Sequence, residues 1–214
     1  MIRGSGNIIT EKRATGDFNG ISAAGDFDIE LINGPVTEVL VEADDNVMEY
    51  IETRVSNNIL KIRTRNLNSY SNMHMRILIT APLITNVTVS ASAGFRAMGP
   101  MRYNGKLNFK ASSAANIHAG VDAPTVETSA SSGATVDISG KTRTYDADCS
   151  SGANLKTGEL LSEQTSISAS SGASARVYAS VKLVVHSNSG ASVHYRGAAN
   201  VDKTTNSGGS ANKE

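Results

Sequence analysis

A short polar string recurs seven times in the second half of the chain and constrains the fold more than any other feature. The seven copies are Ser92-Ala93-Gly94, Ser112-Ser113-Ala114, Ser131-Ser132-Gly133, Ser150-Ser151-Gly152, Ser170-Ser171-Gly172, Asn188-Ser189-Gly190 and Asn206-Ser207-Gly208. The third residue of the string recurs after 20, 19, 19, 20, 18 and 18 residues. Units that cannot each bury an apolar face alone must stack on their neighbours. The sequence therefore predicts a repeat architecture.

Apolar residues occupy every second position around each string. Leu107, Phe109 and Ala111, for example, are separated by polar residues such as Lys110. This alternation is typical of strands with one face inside and one outside. A repeat of roughly 19 residues at about 3.3 Å per residue closes a path of roughly 60 Å, which fits one coil of a β-helix. We therefore predict an all-β chain, with a right-handed parallel β-helix of about 19-residue coils over residues 86–205.

The glycine of each string is predicted to form the structural turn of its coil, because glycine accepts a positive φ without strain. These turn residues are Gly94, Gly133, Gly152, Gly172, Gly190 and Gly208. In the last copy Lys203 and Thr205 replace apolar residues at inward positions, and residues 206–214 are predicted to be a polar C-terminal tail.

Residues 1–85 form a β-rich N-terminal region in which strand-like alternation continues. Turn signals stand at 33–35, 57–58 and 81–82, and one short helix is predicted from Asp45 to Thr53. Gly6 and Gly25 are 19 residues apart, so this region could contain early coils of the same solenoid. The turn signals favour antiparallel hairpins instead. The sequence leaves both alternatives open.

Composition bears on several classes of function. The chain has 20 basic and 20 acidic residues, whereas nucleic-acid binders carry a clustered basic surplus. It has no run of 18 apolar residues, so no transmembrane segment is expected. The single cysteine, Cys149, falls in a small inward column and is expected to be buried. His118 and His194 share an outward column but stand four coils apart, about 19 Å at roughly 4.8 Å per coil. Neither a metal site nor a cofactor is predicted.

Two groups of outward residues are candidates for a site. Asp146 and Asp148 project from one coil and Glu127 from the coil before it, and paired carboxylates are the minimum for glycoside hydrolysis. Because serines flank them on the neighbouring coils, we interpret this group as a solvated face. A β-helix enzyme that acts on acidic polysaccharide remains the alternative. Arg176, His194 and Arg196 form a second group, a candidate recognition patch.

Several motifs in their order along the chain resemble a known bacterial family. They are Gly4-Ser5-Gly6-Asn7-Ile8, Phe18-Asn19-Gly20-Ile21, Gly25-Asp26-Phe27-Asp28-Ile29, Val39-Leu40-Val41-Glu42-Ala43-Asp44-Asp45-Asn46, Leu60-Lys61-Ile62 and Ser207-Gly208-Gly209-Ser210. In these the chain resembles the putative autotransporter adhesin, head GIN domain family, which is common in Bacteroidetes. The resemblance covers nearly the whole chain.

The resemblance implies a β-helix-like fold and an exported location, at the cell surface, at the outer membrane or in the periplasm, usually behind a signal peptide or lipoprotein leader. No such leader is visible in the sequence, so either the chain is cytosolic or its leader is removed. The family offers no catalytic residues. We therefore predict a non-enzymatic, adhesin-like binding or scaffold protein whose partner is a surface glycan, another protein or a second copy. A lipoprotein that binds a small apolar ligand under residues 26–80 is a further alternative.

Overall fold

The chain is almost entirely β-structure, 62% strand and 2% helix, in the computed structural model, which describes residues 2–65 and 70–214. In chain order the elements are β1 Ile2–Arg3, β2 Ile8–Arg13, β3 Gly20–Ala24, β4 Asp28–Asn33, β5 Glu38–Asp44, α1 Asp45–Met48, β6 Ile51–Ser56, β7 Ile59–Thr64, β8 Tyr70–Ser71, β9 Met75–Ala81, β10 Asn86–Ser90, β11 Gly94–Ala97, β12 Met101–Arg102, β13 Lys106–Ala111, β14 Asn116–Asp122, β15 Thr125–Ala130, β16 Thr135–Cys149, β17 Asn154–Lys156, β18 Leu160–Ala169, β19 Ser174–Tyr178, β20 Lys182–Ser187, β21 Ser192–Arg196, β22 Asn200–Thr205 and β23 Ser210–Lys213.

Two stacks of parallel strands run the length of the molecule. The first sheet contains β7, β3, β10, β13, β15, the second half of β16, β18, β20 and β22, in that order. The second sheet contains β9, β4, β11, β14, the first half of β16, β17, β19, β21 and β23. The prediction of a parallel β-solenoid is confirmed, with about 7 turns of about 19 residues.

Stacking places equivalent residues of successive coils in inward columns. One column contains Leu107, Val126, Tyr145, Thr165 and Leu183, all of them buried. Cys149 is buried between Ala130 and Ala169 in another column, as predicted. The Tyr145 ring lies between the smaller side chains of Val126 and Thr165 in its column, as close packing of a narrow interior favours.

The turn between the two sheets has the same geometry in successive coils. In the coil that ends β16, Ser151 and Gly152 have φ of 53° and 70°, and the Ala153 N–H donates to the Ser150 carbonyl at 3.1 Å. Positive φ at both central residues defines a type I′ turn, in which glycine is favoured. The Gly152 N–H donates to the Ser171 carbonyl of the next coil at 3.0 Å. The turns therefore form a main-chain ladder along the stack.

The predicted turn at Gly94, in the first copy of the repeat, is wrong by two residues. Gly94 does not have a positive φ; Ala91 and Ser92 occupy the turn, with φ of 53° and 71°. Val87 pairs with Phe109 rather than with Leu107. The next turn is at Ser113 and Ala114, so this coil is longer than the others and its Ser-Ala-Gly string lies two residues out of phase.

The N-terminal region contains both of the arrangements that the sequence left open. β3 pairs in parallel with β10 and β7, and β4 pairs in parallel with β11 and β9, so early coils are present. Beyond them, β6 pairs antiparallel with β7, and β5 joins β9 to β2 in antiparallel order. The antiparallel strands cover the end of the stack.

The predicted helix from Asp45 to Thr53 is wrong over its second half. α1 ends at Met48, and Ile51–Ser56 forms β6. Ile51, Thr53 and Val55 alternate along β6, and β-branched residues of this kind fit a paired strand better than a short helix. Val47 and Met48 of α1 are buried against the end of the stack.

The opposite end of the stack is formed by the parallel strands β22 and β23. All positions of β22 are exposed, and the predicted polar tail, residues 206–214, includes β23, which pairs in parallel with β21. Lys203 stands in the inward column below Val185. Its ammonium donates to the Ala211 carbonyl at 3.2 Å. An inward-pointing charge on a final strand discourages the addition of another strand.

Candidate functional site

The outer surface of the first sheet carries the acidic group. Glu127 and Asp146 are register partners on β15 and β16, and Asp148 follows two residues later. The stacked neighbours of Asp148 are Ser129 and Ser168. The structure thus places the three carboxylates on one face with serines around them.

Electrostatics distinguish one of these carboxyl groups from the others. Burial raises the pKa of the Asp146 carboxyl, and the negative charges of Glu127 and Asp148 raise it further. Lys106 opposes this effect and donates to Glu127 at 2.9 Å. A carboxyl group that keeps its proton more readily could serve as a general acid, so Asp146 is the natural residue for testing the enzymatic alternative.

The outer surface of the second sheet carries a basic group that includes the three predicted recognition residues. Arg176 and His194 are register partners on β19 and β21, and Arg196 follows His194 by two residues on β21. The structure adds Lys156, which is the register partner of Arg176 on β17. We call Lys156, Arg176, His194 and Arg196 the basic row. The sequence signal that could have identified Lys156 is its place in the same repeat position as Arg176.

Local hydrogen bonds orient the two arginines. The Arg196 guanidinium donates through Nη2 to the Gly158 carbonyl at 2.7 Å and to the Glu159 carboxylate at 2.5 Å. Arg176 donates through Nε to Glu214 at 3.2 Å. An open groove of about 330 Å³ lies here, lined by Asp137, Lys156, Gly158, Glu159, Arg176, Val177, Arg196 and Glu214.

Farther up the second sheet, the same outward column has a different charge pattern. It runs through Glu30, Arg96, His118 and Asp137 before it reaches Lys156. His118 contacts Asp137 at 3.5 Å. The groove at this level has a volume of about 590 Å³. Arg96 thus has Glu30 on one side and His118 on the other, and Asp137 lies between His118 and Lys156, whereas Lys156 and Arg176 place two like charges side by side.

A third groove, of about 480 Å³, lies where the chain returns from the second sheet to the first. The ion pair between Lys141 and Asp122, at 3.4 Å, is beside it, and Leu161 lines it with 52% of its surface exposed. The inward residues of 26–80 belong to the same hydrophobic cluster as those of the later coils. A small apolar ligand in that region would have to displace packed side chains.

Within residues 2–65 and 70–214, no group of three or more histidine, cysteine or carboxylate side chains is arranged to hold a metal ion. The same part of the chain contains no helix with the length and apolar character needed to cross a membrane.

Solved structures with a similar architecture include proteins from Bacteroides and Parabacteroides. A putative adhesin from Bacteroides fragilis matches with a TM-score of 0.90 and 16% identity, over 100% of this chain and 99% of that one. A putative lipid binding protein from Parabacteroides distasonis matches with a TM-score of 0.81 and 20% identity, over 100% and 99%. A putative adhesin from Parabacteroides merdae matches with a TM-score of 0.80 and 16% identity, over 100% and 98%. At these identities the similarity shows a shared fold.

The comparisons by sequence are of two kinds. No protein of curated function matches the chain. A family model, described as "Putative auto-transporter adhesin, head GIN domain", matches residues 17–199. This match extends from just before β3 to the end of the segment that follows β21, and it includes the sequence motifs between Phe18 and Ile62. The chain therefore belongs to the family described as "Putative auto-transporter adhesin, head GIN domain".

Proposed function

We propose that this protein is a non-enzymatic, adhesin-like binding protein that acts outside the cytoplasm, at the cell surface. The observation that carries the proposal is the stacking of outward polar side chains in columns along both sheets. Asn154, Ser174 and Ser192, for example, repeat at successive coils. A rigid surface with a regular spacing can make many weak contacts with an extended partner, and the family assignment supports the same role.

The partner in this proposal is a glycan or protein on a cell surface, and self-association is an alternative that the same surfaces would support. The proposed location is the cell surface at the outer membrane, with the periplasm as the alternative, reached behind a secretion or lipoprotein leader. One protein of the same fold is described as a putative lipid binding protein. Lipid vesicles therefore belong in the test, although the grooves described above are lined mainly by charged and polar side chains.

The experiment is retention of the purified chain on immobilised polysaccharides, intact bacterial cells and lipid vesicles, with new reducing ends measured in the same samples. We expect retention on cells or glycans without the release of new chain ends. Asp146→Ala and Asp148→Ala are the variants that test the alternative. Release by the parent chain that both variants abolish would establish a β-helix enzyme and reject the proposal.

A further inference from the structure

We propose that the basic row binds an extended acidic polysaccharide through its carboxylate or sulfate groups. The inference rests on the proposed function and gives that function a ligand class and a site.

The first argument is the placement of like charges. Lys156 and Arg176 are register partners on adjacent coils, and His194 continues the line. Strands in a sheet lie about 4.8 Å apart, and like charges directly opposite one another destabilise a sheet. Elsewhere in this column Arg96 lies beside Glu30, and Asp137 lies between His118 and Lys156, so Lys156 and Arg176 are the two fixed like charges that stand directly opposite one another. A local departure from the rule that otherwise stabilises the fold points to a functional site.

The second argument is that the present partners of the cations are easily exchanged. The Arg176 and Glu214 side chains are 61% and 37% exposed, and those of Arg196 and Glu159 are 43% and 76% exposed. Ion pairs exposed to this degree contribute little, because water and salt screen them. Among the described residues, Lys156 has no ion-pair partner within 4.0 Å. Anionic groups of a ligand can therefore replace Glu214 and Glu159 at small cost.

The third argument is the shape of the site. Lys156, Arg176 and His194 follow the axis of the stack, and Arg196 lies beside His194 on the same strand, so the basic row forms a line rather than a cup. Asn154, Ser174 and Ser192 form a parallel column two residues away and can exchange hydrogen bonds with sugar hydroxyls. The arginine guanidinium pairs with planar carboxylates and with sulfates through two donors at once. A linear anion that also carries hydroxyl groups matches both columns.

The fourth argument separates a polysaccharide from a nucleic acid. Asp137, Glu159 and Glu214 line the same groove as the cations. Duplex DNA carries one negative charge for about every 1.7 Å of its axis, and its binding requires a dense cationic surface. Acidic residues among the cations would repel such a chain. A glycan with one carboxylate on each sugar carries its charges farther apart than duplex DNA and can place them on the cations alone.

The test measures binding of the purified chain to polygalacturonate and to heparin at low and at physiological salt, with neutral dextran as the reference. The test variant is Lys156→Ser/Arg176→Ser, in which two exposed side chains outside the core are changed. The matched control is Lys110→Ser/Lys182→Ser, which removes the same charge from exposed positions of the first sheet. Circular dichroism shows whether each variant keeps its strands.

We expect binding to at least one acidic polysaccharide, with the test variant weakened about tenfold or more and the control changed less than about twofold. Equal weakening by both variants, or equal binding of dextran, would overturn the inference. So would tighter binding to a single-stranded oligonucleotide, to phosphatidylglycerol vesicles or to inorganic sulfate, each tested separately. If no acidic polysaccharide binds but the chain is still retained on cells, the inference fails and the proposed function stands.

Discussion

Gly140→Ala tests how closely the coils approach one another. Gly140 lies in β16 with a φ of 116°, where it is the register partner of Val121 on the preceding coil. A side chain at this φ costs about 1–3 kcal/mol in backbone strain. The added Cβ would lie 2.0 Å from the Val121 carbonyl oxygen and 2.9 Å from its amide nitrogen. Carbon atoms in ordinary contact are about 3.5–4.0 Å apart, so the two coils must separate at this point.

Separation would weaken the main-chain hydrogen bonds that join the two coils near Gly140, including the 3.3 Å bond from the Ala123 N–H to the Lys141 carbonyl. Each such bond contributes about 1 kcal/mol net. Together with the strain, we expect the free energy of unfolding to fall by about 3–5 kcal/mol. The measurement is equilibrium unfolding in urea followed by circular dichroism.

Gly133→Ala is the matched control, because Gly133 has a φ of 73° and a Cβ there would meet no atom within 4 Å. Backbone strain alone should lower its free energy of unfolding by about 1–2 kcal/mol. If Gly140→Ala lowers the free energy of unfolding no more than Gly133→Ala does, the reasoning is refuted. Such a result would show that the close approach of the coils does not require a glycine at position 140.

The remaining predictions concern buried groups and the open end. Tyr145→Phe should lower the free energy of unfolding by about 1–2 kcal/mol, because the buried Tyr145 hydroxyl is hydrogen-bonded to the Thr128 hydroxyl at 2.7 Å. The double variant Tyr145→Phe/Thr128→Val should recover part of that loss, because it leaves no hydroxyl without its partner. Unfolding of both variants in urea measures the two free energies. Burial raises the pKa of Tyr145 to about 12. The folded chain therefore keeps a proton that the unfolded chain loses above about pH 10, so stability should fall between about pH 10 and pH 12, and Tyr145→Phe should flatten that part of the curve. Burial also raises the pKa of the Cys149 thiol to about 11; Cys149 should react with a chromogenic disulfide reagent only at the rate of unfolding, and rapid reaction in native buffer would contradict its burial. Lys203→Val should cause concentration-dependent association through β22, which sedimentation velocity measures. A variant that stays monomeric at every concentration would show that Lys203 does not prevent the addition of a strand at this edge.

The repeat could be predicted because every coil makes the same demands on its residues. A tight turn favours small polar residues and glycine, and the strands beside it alternate, so the pattern is repeated often enough to be recognised. The error at Gly94 has a physical origin, since the longer first coil still offers a Ser-Ala-Gly string that imitates the turn. The error in the predicted helix has a different physical origin. The local spacing of apolar residues favours a helix through Ile51, but residues 51–56 form a strand because they pair with β7.

The basic row was only partly predictable. Arg176, His194 and Arg196 are candidates from the sequence, and Lys156 occupies the same repeat position as Arg176, but the register of β17 with β19 is what places the two residues side by side. Lys156 and Arg176 are 20 residues apart in the sequence, but they lie opposite one another on neighbouring strands. The orientation of Arg196 by the Gly158 carbonyl could not be derived from composition or period at all.

The pairing of each coil with only its two neighbours has a consequence for how the length of this molecule can change. β18, for example, bonds to β16 and β20 along the first sheet, and its turn bonds to the turns before and after it. A deletion or duplication of one whole coil between equivalent turns would preserve every type of interface and leave both ends as they are. Each such step would alter the length of the rod by about 4.8 Å. The length of the molecule is therefore a property that insertions and deletions can adjust in fixed increments, independently of the residues at its two ends.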